Sequence, residues 1–108
     1  MYDILGLNMT TLLNIEEITK FTSKYGDWEF EEDCLKAKFV LANFDTAMEV
    51  VEMVAKVARE MDHHPLWTNV YNQLSFSLCT HSAGDKVTEL DLKLAQKISE
   101  SIQEVGRE

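Results

Sequence analysis

Apolar side chains recur at helical spacing in three parts of the chain, and this pattern predicts three amphipathic helices. The first helix is predicted to begin at Asn14, because Glu17 follows three residues later, as in a capping box. The same spacing from Thr88 to Asp91 predicts the start of the last helix. Both starts are therefore marked by local sequence alone.

The middle helix is predicted to run from about Asp45 to Asp62, with its apolar residues on one face and its charged residues on the other. Pro65 prevents this helix from continuing and favours an extended conformation before it. Gly26 and Gly106 suit the ends of the first and last helices.

Alternation of apolar and polar residues predicts four strands between these helices. The first two lie near Trp28–Phe30 and Leu35–Leu41, with the acidic stretch Glu31–Asp33 as the loop between them. The third and fourth lie in roughly residues 66–80, where Val70, Leu74, Phe76 and Leu78 share one parity. A mostly apolar face opposite a mostly polar one is typical of an antiparallel sheet covered on one side. The order α-β-β-α-β-β-α therefore predicts an α+β fold, a four-stranded antiparallel sheet with three helices on one face.

Composition and charge narrow the class of protein. A chain of 108 residues fits one domain, and a core this small would gain from oligomerisation. With 19 acidic and 10 basic residues, the net charge of -9 argues against nucleic acid or an anionic membrane as a partner.

Targeting and cysteine signals favour a cytoplasmic protein. Residues Met1–Asn8 lack the basic region of a signal peptide, and no apolar run approaches the ~18 residues of a membrane span. Cys34 and Cys79 form no CxxC motif, so two reduced thiols in a reducing compartment are expected.

All three histidines lie close together along the chain, at His63, His64 and His81. Imidazole, with an ordinary pKa of ~6.5, can both donate and accept a proton near neutrality. Two histidines facing one small molecule could protonate a leaving group and remove a proton elsewhere. Solvated or structural histidines are the alternative. A zinc site is disfavoured, because neighbours in extended chain point in opposite directions and would not easily bind one ion.

Three other residues have simple structural explanations. Asp62 could be only a helix-end residue, Asp91 could be only the capping-box partner of Thr88, and Trp28 could belong to the core.

The run Asp62-His63-His64-Pro65, followed by Tyr71 and then Thr80-His81, resembles the signature of the pterin-4a-carbinolamine dehydratase family. Gly26–Trp28, Asn43–Ala47 and Thr88–Asp91 are similar to other segments of that family. The resemblance covers about residues 12–104. It identifies residues 1–108 as a single domain of this kind, with a core of about 12–104.

The resemblance implies a hydro-lyase that converts 4a-hydroxytetrahydropterin into quinonoid dihydropterin and water, in support of pterin cofactor recycling. It implies no metal and no organic cofactor. It also implies a homodimer or homotetramer whose sheets pair edge to edge, and an aromatic amino acid hydroxylase as the source of the substrate. The alternative function is a non-catalytic dimerisation or interaction protein on the same fold.

Roles for individual residues also follow from the resemblance. His63 and His81 are expected to form an acid/base pair, and His64, the third catalytic histidine, to hold the substrate. The expected substrate-binding residues are Trp28, Asp62, His63, His64, Cys79, Thr80, His81, Ser82 and Asp91. Three departures from the family pattern could lower the rate or shift the substrate preference: Arg59 in place of glutamate, Leu66 in place of an acidic residue, and a stretch 82–87 that is one residue longer.

Overall fold

The computed structural model describes residues 13–106, and its elements follow one another in the predicted order. The segment Met1–Asn8, predicted not to be a signal peptide, and the first residue of the predicted 12–104 core lie outside the described residues. The elements are α1 (Ile15–Lys24), β1 (Glu29–Glu31), β2 (Cys34–Val40), α2 (Phe44–Met61), β3 (Leu66–Val70), β4 (Gln73–Leu78) and α3 (Glu89–Val105).

Both predicted capping boxes are present. At α1 the side chain of Asn14 accepts a hydrogen bond of 2.8 Å from the Glu17 amide, and the Glu17 carboxylate accepts from the Asn14 amide at 3.3 Å. At α3 the Asp91 carboxylate accepts from the Thr88 amide at 2.8 Å. Helix α2 begins at Phe44, one residue earlier than predicted, because Asn43 serves as its N-cap.

The four strands form one antiparallel sheet in the order β1-β2-β4-β3. The loop between β1 and β2 is shorter than predicted, because Glu31 pairs with Cys34 and leaves only Glu32 and Asp33 in the turn. Both turn residues have positive φ, 53° and 62°, as in the tight turns whose twist matches that of a hairpin.

The turn between β3 and β4 corrects one prediction about the sheet faces. Val70 was predicted to share the apolar face with Leu74, but the two-residue turn at Tyr71 and Asn72 shifts the alternation. Val70 therefore pairs with Gln73 on the uncovered face and is 70% exposed. This turn could not be recognised from the sequence, because Tyr71 has a φ of 51°, a value at which glycine is the more usual residue.

The core lies between the helices and one face of the sheet, as predicted. Trp28 is buried within it, with its ring 6.1 Å from Phe39 and 6.3 Å from Phe76 between centroids. Trp67 packs edge-on against Phe76 from the neighbouring strand. Within residues 13–106, no helix combines the length and apolar character needed to cross a membrane.

We predict that Phe39→Ala will lower the free energy of unfolding by about 3–5 kcal/mol, because Phe39 is 1% exposed at the centre of this core. Val40→Ala is the matched control, since Val40 is the next residue and faces the open side of the sheet. Urea unfolding of both variants measures the difference. Equal losses would contradict the assignment of the core face.

Candidate active site

The three histidines meet at one end of the molecule, where the end of α2, the end of β4 and the start of α3 come together. They line an open depression of about 470 Å³. Its walls are formed by Met61, Asp62, His63, His64, Cys79, Thr80, His81, Ser82 and Leu90. The histidine cluster predicted from the sequence is therefore a spatial cluster as well.

The end of α2 sets the positions of His63 and His64. Asp62 adopts the left-handed conformation, with φ 51° and ψ 43°, and the amides of Asp62 and His63 donate to carbonyls of the last helical turn. The chain then runs in extended form to Pro65. As a result, His63 is buried at 8% exposure whereas His64 is exposed.

His63 is held by a buried carboxylate. Its Nε2 lies 2.6 Å from Oδ1 of Asp91, which is fully buried. The other carboxylate oxygen, Oδ2, accepts from the Thr80 hydroxyl and the Thr88 amide, each at 2.8 Å. Because Thr80 uses its proton on Asp91, the 2.6 Å bond between the two threonine hydroxyls has Thr88 as its donor. We call Asp91, His63, Thr80 and Thr88 the Asp91 network.

His81 occupies a different environment from His63. Strand β4 ends at Leu78, two residues before the predicted limit of 80, and His81 begins a one-turn 3₁₀ helix, His81–Ala83. Its side chain is 98% exposed, and its Nδ1 lies 3.0 Å from Oδ1 of Asp85. Hydrogen bonds from the Thr80 amide to Lys86 and from the Asp85 amide to Thr80 close this loop.

The two histidines thus share one chemical arrangement. In each, one ring nitrogen contacts a carboxylate, which restricts the orientation of the ring. The other nitrogen, Nδ1 of His63 and Nε2 of His81, is left to exchange a proton with a ligand. Such a pair has the groups that acid/base chemistry needs.

Cys79 is a neutral part of the wall. Burial raises the pKa of its thiol to about 12, and the hydrogen bond with Cys34 and negative charge on Cys34, Asp91 and Asp85 act in the same direction. The thiol therefore stays protonated near neutral pH. Among residues 13–106, no three His, Cys, Asp or Glu side chains are grouped so as to hold a metal ion.

Two predicted substrate-binding residues do not line the depression. Trp28 lies in the core, 2% exposed, and its Nε1 donates to the hydroxyl of Ser99 at 2.8 Å. Asp91 lies behind His63 with no exposed surface, so it orients the imidazole and caps α3.

Sequence reasoning also missed partners of the site. The spacing of four residues from His81 to Asp85 was a usable signal for an ion pair. The hydrogen bond between Thr80 and Thr88 had no such signal, because it depends on the conformation of the loop that joins them.

Comparisons with known proteins agree on one family. The family model described as pterin 4 alpha carbinolamine dehydratase matches residues 11–101. A Mesorhizobium japonicum protein is 42% identical over 81% of this chain and 90% of its own length. A Metallosphaera sedula protein is 41% identical over 82% of this chain and 91% of its own. Both carry a provisional assignment as pterin-4-alpha-carbinolamine dehydratases.

The fold is also similar to that of a solved structure. It is a Brucella melitensis protein described as a transcriptional coactivator/pterin dehydratase. The two folds superpose with a TM-score of 0.80 at 31% identity, over 84% of this chain and 98% of that one.

We predict that Thr80→Val will lower the free energy of unfolding by about 1–3 kcal/mol, because it leaves the buried Asp91 carboxylate without one of its donors. Thr68→Val makes the same change on the exposed part of β3 and should alter stability little. Urea unfolding at neutral pH compares the two variants. A loss for Thr68→Val as large as that for Thr80→Val would show that the network does not stabilise the fold.

Proposed function

The chain belongs to the pterin-4a-carbinolamine dehydratase family, and on this premise we propose that it removes water from a 4a-hydroxytetrahydropterin to give a quinonoid dihydropterin. The observation that carries the proposal is the pair of carboxylate-held imidazoles, His63 and His81, at one depression.

The reaction needs one proton donor and one proton acceptor. The bond between C4a and its hydroxyl oxygen breaks while the oxygen receives a proton, and water leaves. The proton on N5 is lost, and its electron pair forms the double bond between N5 and C4a. Hydroxide is a poor leaving group near neutral pH, so protonation by a positioned imidazolium lowers the barrier. A neutral imidazole removes the proton from N5.

The structure supports a division of roles. His63 and His81 are the acid/base pair, since in each a carboxylate holds one ring nitrogen and the other nitrogen has no such partner among residues 13–106. His64 is exposed beside them and holds the substrate. The remaining wall residues at the ends of α2 and β4 lie beside the histidines and contact the polar edge of the pterin, namely Asp62, Cys79, Thr80 and Ser82.

Departures from the family pattern lie mainly outside the depression. Arg59 and Leu66 are exposed and neither forms part of its wall, so both leave the proposed site intact. The longer stretch 82–87 includes Asp85, which contacts His81. This segment therefore supplies one of the two carboxylates of the proposed pair.

A second candidate function is that of an interaction protein without catalysis. The Brucella melitensis relative is described as a coactivator as well as a dehydratase, which favours keeping this alternative. Histidine variants separate the two functions, since binding to another protein through the sheet or helices does not depend on acid/base groups.

We predict that His63→Gln and His81→Gln will each slow dehydration by about 10²–10⁴-fold, because glutamine cannot exchange a proton at neutral pH. Glutamine is chosen at position 63 because its amide can still donate to the buried Asp91 carboxylate. Rates are measured against substrate concentration with synthetic 4a-hydroxytetrahydropterin, after subtraction of the uncatalysed reaction. His64→Ala is the comparison and should mainly raise KM.

Circular dichroism verifies that each histidine variant is folded. Turnover at the wild-type rate in both folded glutamine variants would refute the acid/base assignment and favour the interaction protein.

We also predict that the protein is a homodimer or homotetramer. The edge strand β3 carries Leu66, 69% exposed, and Val70, 70% exposed, and the adjacent Tyr71 is 63% exposed. An edge with unpaired backbone groups and exposed apolar side chains favours strand pairing with a second copy. Light scattering at micromolar concentration should therefore give a mass above 12.4 kDa.

The double variant Leu66→Lys, Val70→Lys should dissociate under the same conditions, because it places charges at the pairing edge. Ile15→Lys is the control, since Ile15 is 59% exposed on α1, away from this strand. A monomeric wild-type protein would contradict the prediction of assembly. An undisturbed double variant would contradict the choice of edge.

A further inference from the structure

Cys34 and Cys79 face one another across the two central strands. In the register of β2 and β4, Leu35 is opposite Leu78 and Lys36 is opposite Ser77. One step further along this antiparallel ladder, Cys34 is opposite Cys79. Because Leu35 and Leu78 point into the core, both cysteines point to the uncovered face.

The two thiols are close enough to react with one another. They lie within hydrogen-bonding reach, and both are free and partly buried. Directly opposite residues of an antiparallel pair have Cα atoms about 4.5–5.5 Å apart. This lies within the range of roughly 4.4–6.8 Å that a disulfide spans. The two residues can therefore be joined without a change in the register of the strands.

We propose that Cys34 and Cys79 form a reversible cross-strand disulfide under mild oxidation and that this bond regulates the histidine site. The regulatory part rests on the proposed dehydratase function. Cys79 lines the depression and directly precedes Thr80, a member of the Asp91 network. Replacing a contact between two thiols by a covalent bond of about 2.05 Å draws Cys79 towards β2. Displacement of about 1 Å in a catalytic site can slow a reaction by up to 10²-fold.

The oxidant we assign is a low-molecular-weight disulfide such as oxidised glutathione. Cys34, as thiolate, attacks one sulfur of that disulfide, whose S–S bond breaks and releases one glutathione thiolate. Cys79 then loses its proton, attacks the Cys34 sulfur and releases the second glutathione. In total the protein gives up two electrons and two protons, and the small disulfide becomes two thiols.

The order of the two attacks follows from the environment of Cys79. Its raised pKa makes it a poor first nucleophile at neutral pH. A Cys34 sulfur that carries glutathione can no longer ionise, and it is a weaker acceptor for the Cys79 proton. Both changes reduce causes of the raised Cys79 pKa, which favours the second attack.

Single cysteine variants test this order. The reduced full-length protein is incubated with excess oxidised glutathione, and intact mass and free thiols are measured. The wild-type protein should lose both thiols, retain no glutathione and recover both thiols with dithiothreitol. Cys79→Ser should accumulate glutathione on Cys34, whereas Cys34→Ser should be modified much more slowly, because burial still raises the pKa of the Cys79 thiol. Stable glutathione on the wild-type protein, or equal modification of the two variants, would overturn the proposal.

Turnover of 4a-hydroxytetrahydropterin tests the regulatory part. Oxidation should lower kcat/KM of the wild-type protein by about tenfold, reversibly, and leave Cys34→Ser unaffected. Unchanged turnover in the fully oxidised wild-type protein would refute regulation. Absence of turnover in the reduced wild-type protein would instead refute the dehydratase function and, with it, the regulatory part. The mass and thiol measurements would still decide whether the disulfide forms.

Discussion

The carboxylate of Asp91 is the group on which the arrangement of the site depends. A carboxylate with no exposed surface costs several kcal/mol to bury unless hydrogen bonds replace its water. Here the replacements come from three separate parts of the chain: His63 after α2, Thr80 after β4, and the backbone of Thr88 at the start of α3. Satisfying one buried charge thus fixes the relative positions of the three segments that surround the depression.

Both histidines have a carboxylate partner, but the two pairs differ in environment. The contact between His63 and Asp91 is buried, where electrostatic interactions are strong and the ring has little freedom. The contact between His81 and Asp85 is exposed to water and joins residues of a short loop. One imidazole is therefore rigidly placed and the other adjustable.

The fold was largely predictable because its signals are local. Helix caps at Asn14 and Thr88 and the alternation along β2 are visible within a few residues of sequence. The exposure of Val70 was not predictable, because the sheet face on which it lies depends on a turn at Tyr71 that contains no glycine.

The site was only partly predictable. The family resemblance indicated that the histidines share one site. The contact between Asp91 and His63 could not be predicted, because the spacing from Thr88 to Asp91 fits a helix cap whether or not the Asp91 carboxylate also contacts a histidine. For Trp28 the two lines of inference disagreed. The alternation of apolar and polar residues allowed a position in the core, whereas the family resemblance indicated a substrate-binding residue. The structure places it in the core, where packing against Phe39 and Phe76 leaves it no contact with the depression.

The pairing of His63 with Asp91 joins residues that are 28 positions apart in the chain. Such a contact carries an entropic cost, because the loop between the two residues must close before it contributes any stability. The Asp91 network requires α2, β4 and α3 to have docked, so the contact that orients His63 exists only when all three segments are in place. A chain in which these segments have not docked therefore lacks the contact that orients His63. Only the fully folded state has a histidine oriented by a buried charge.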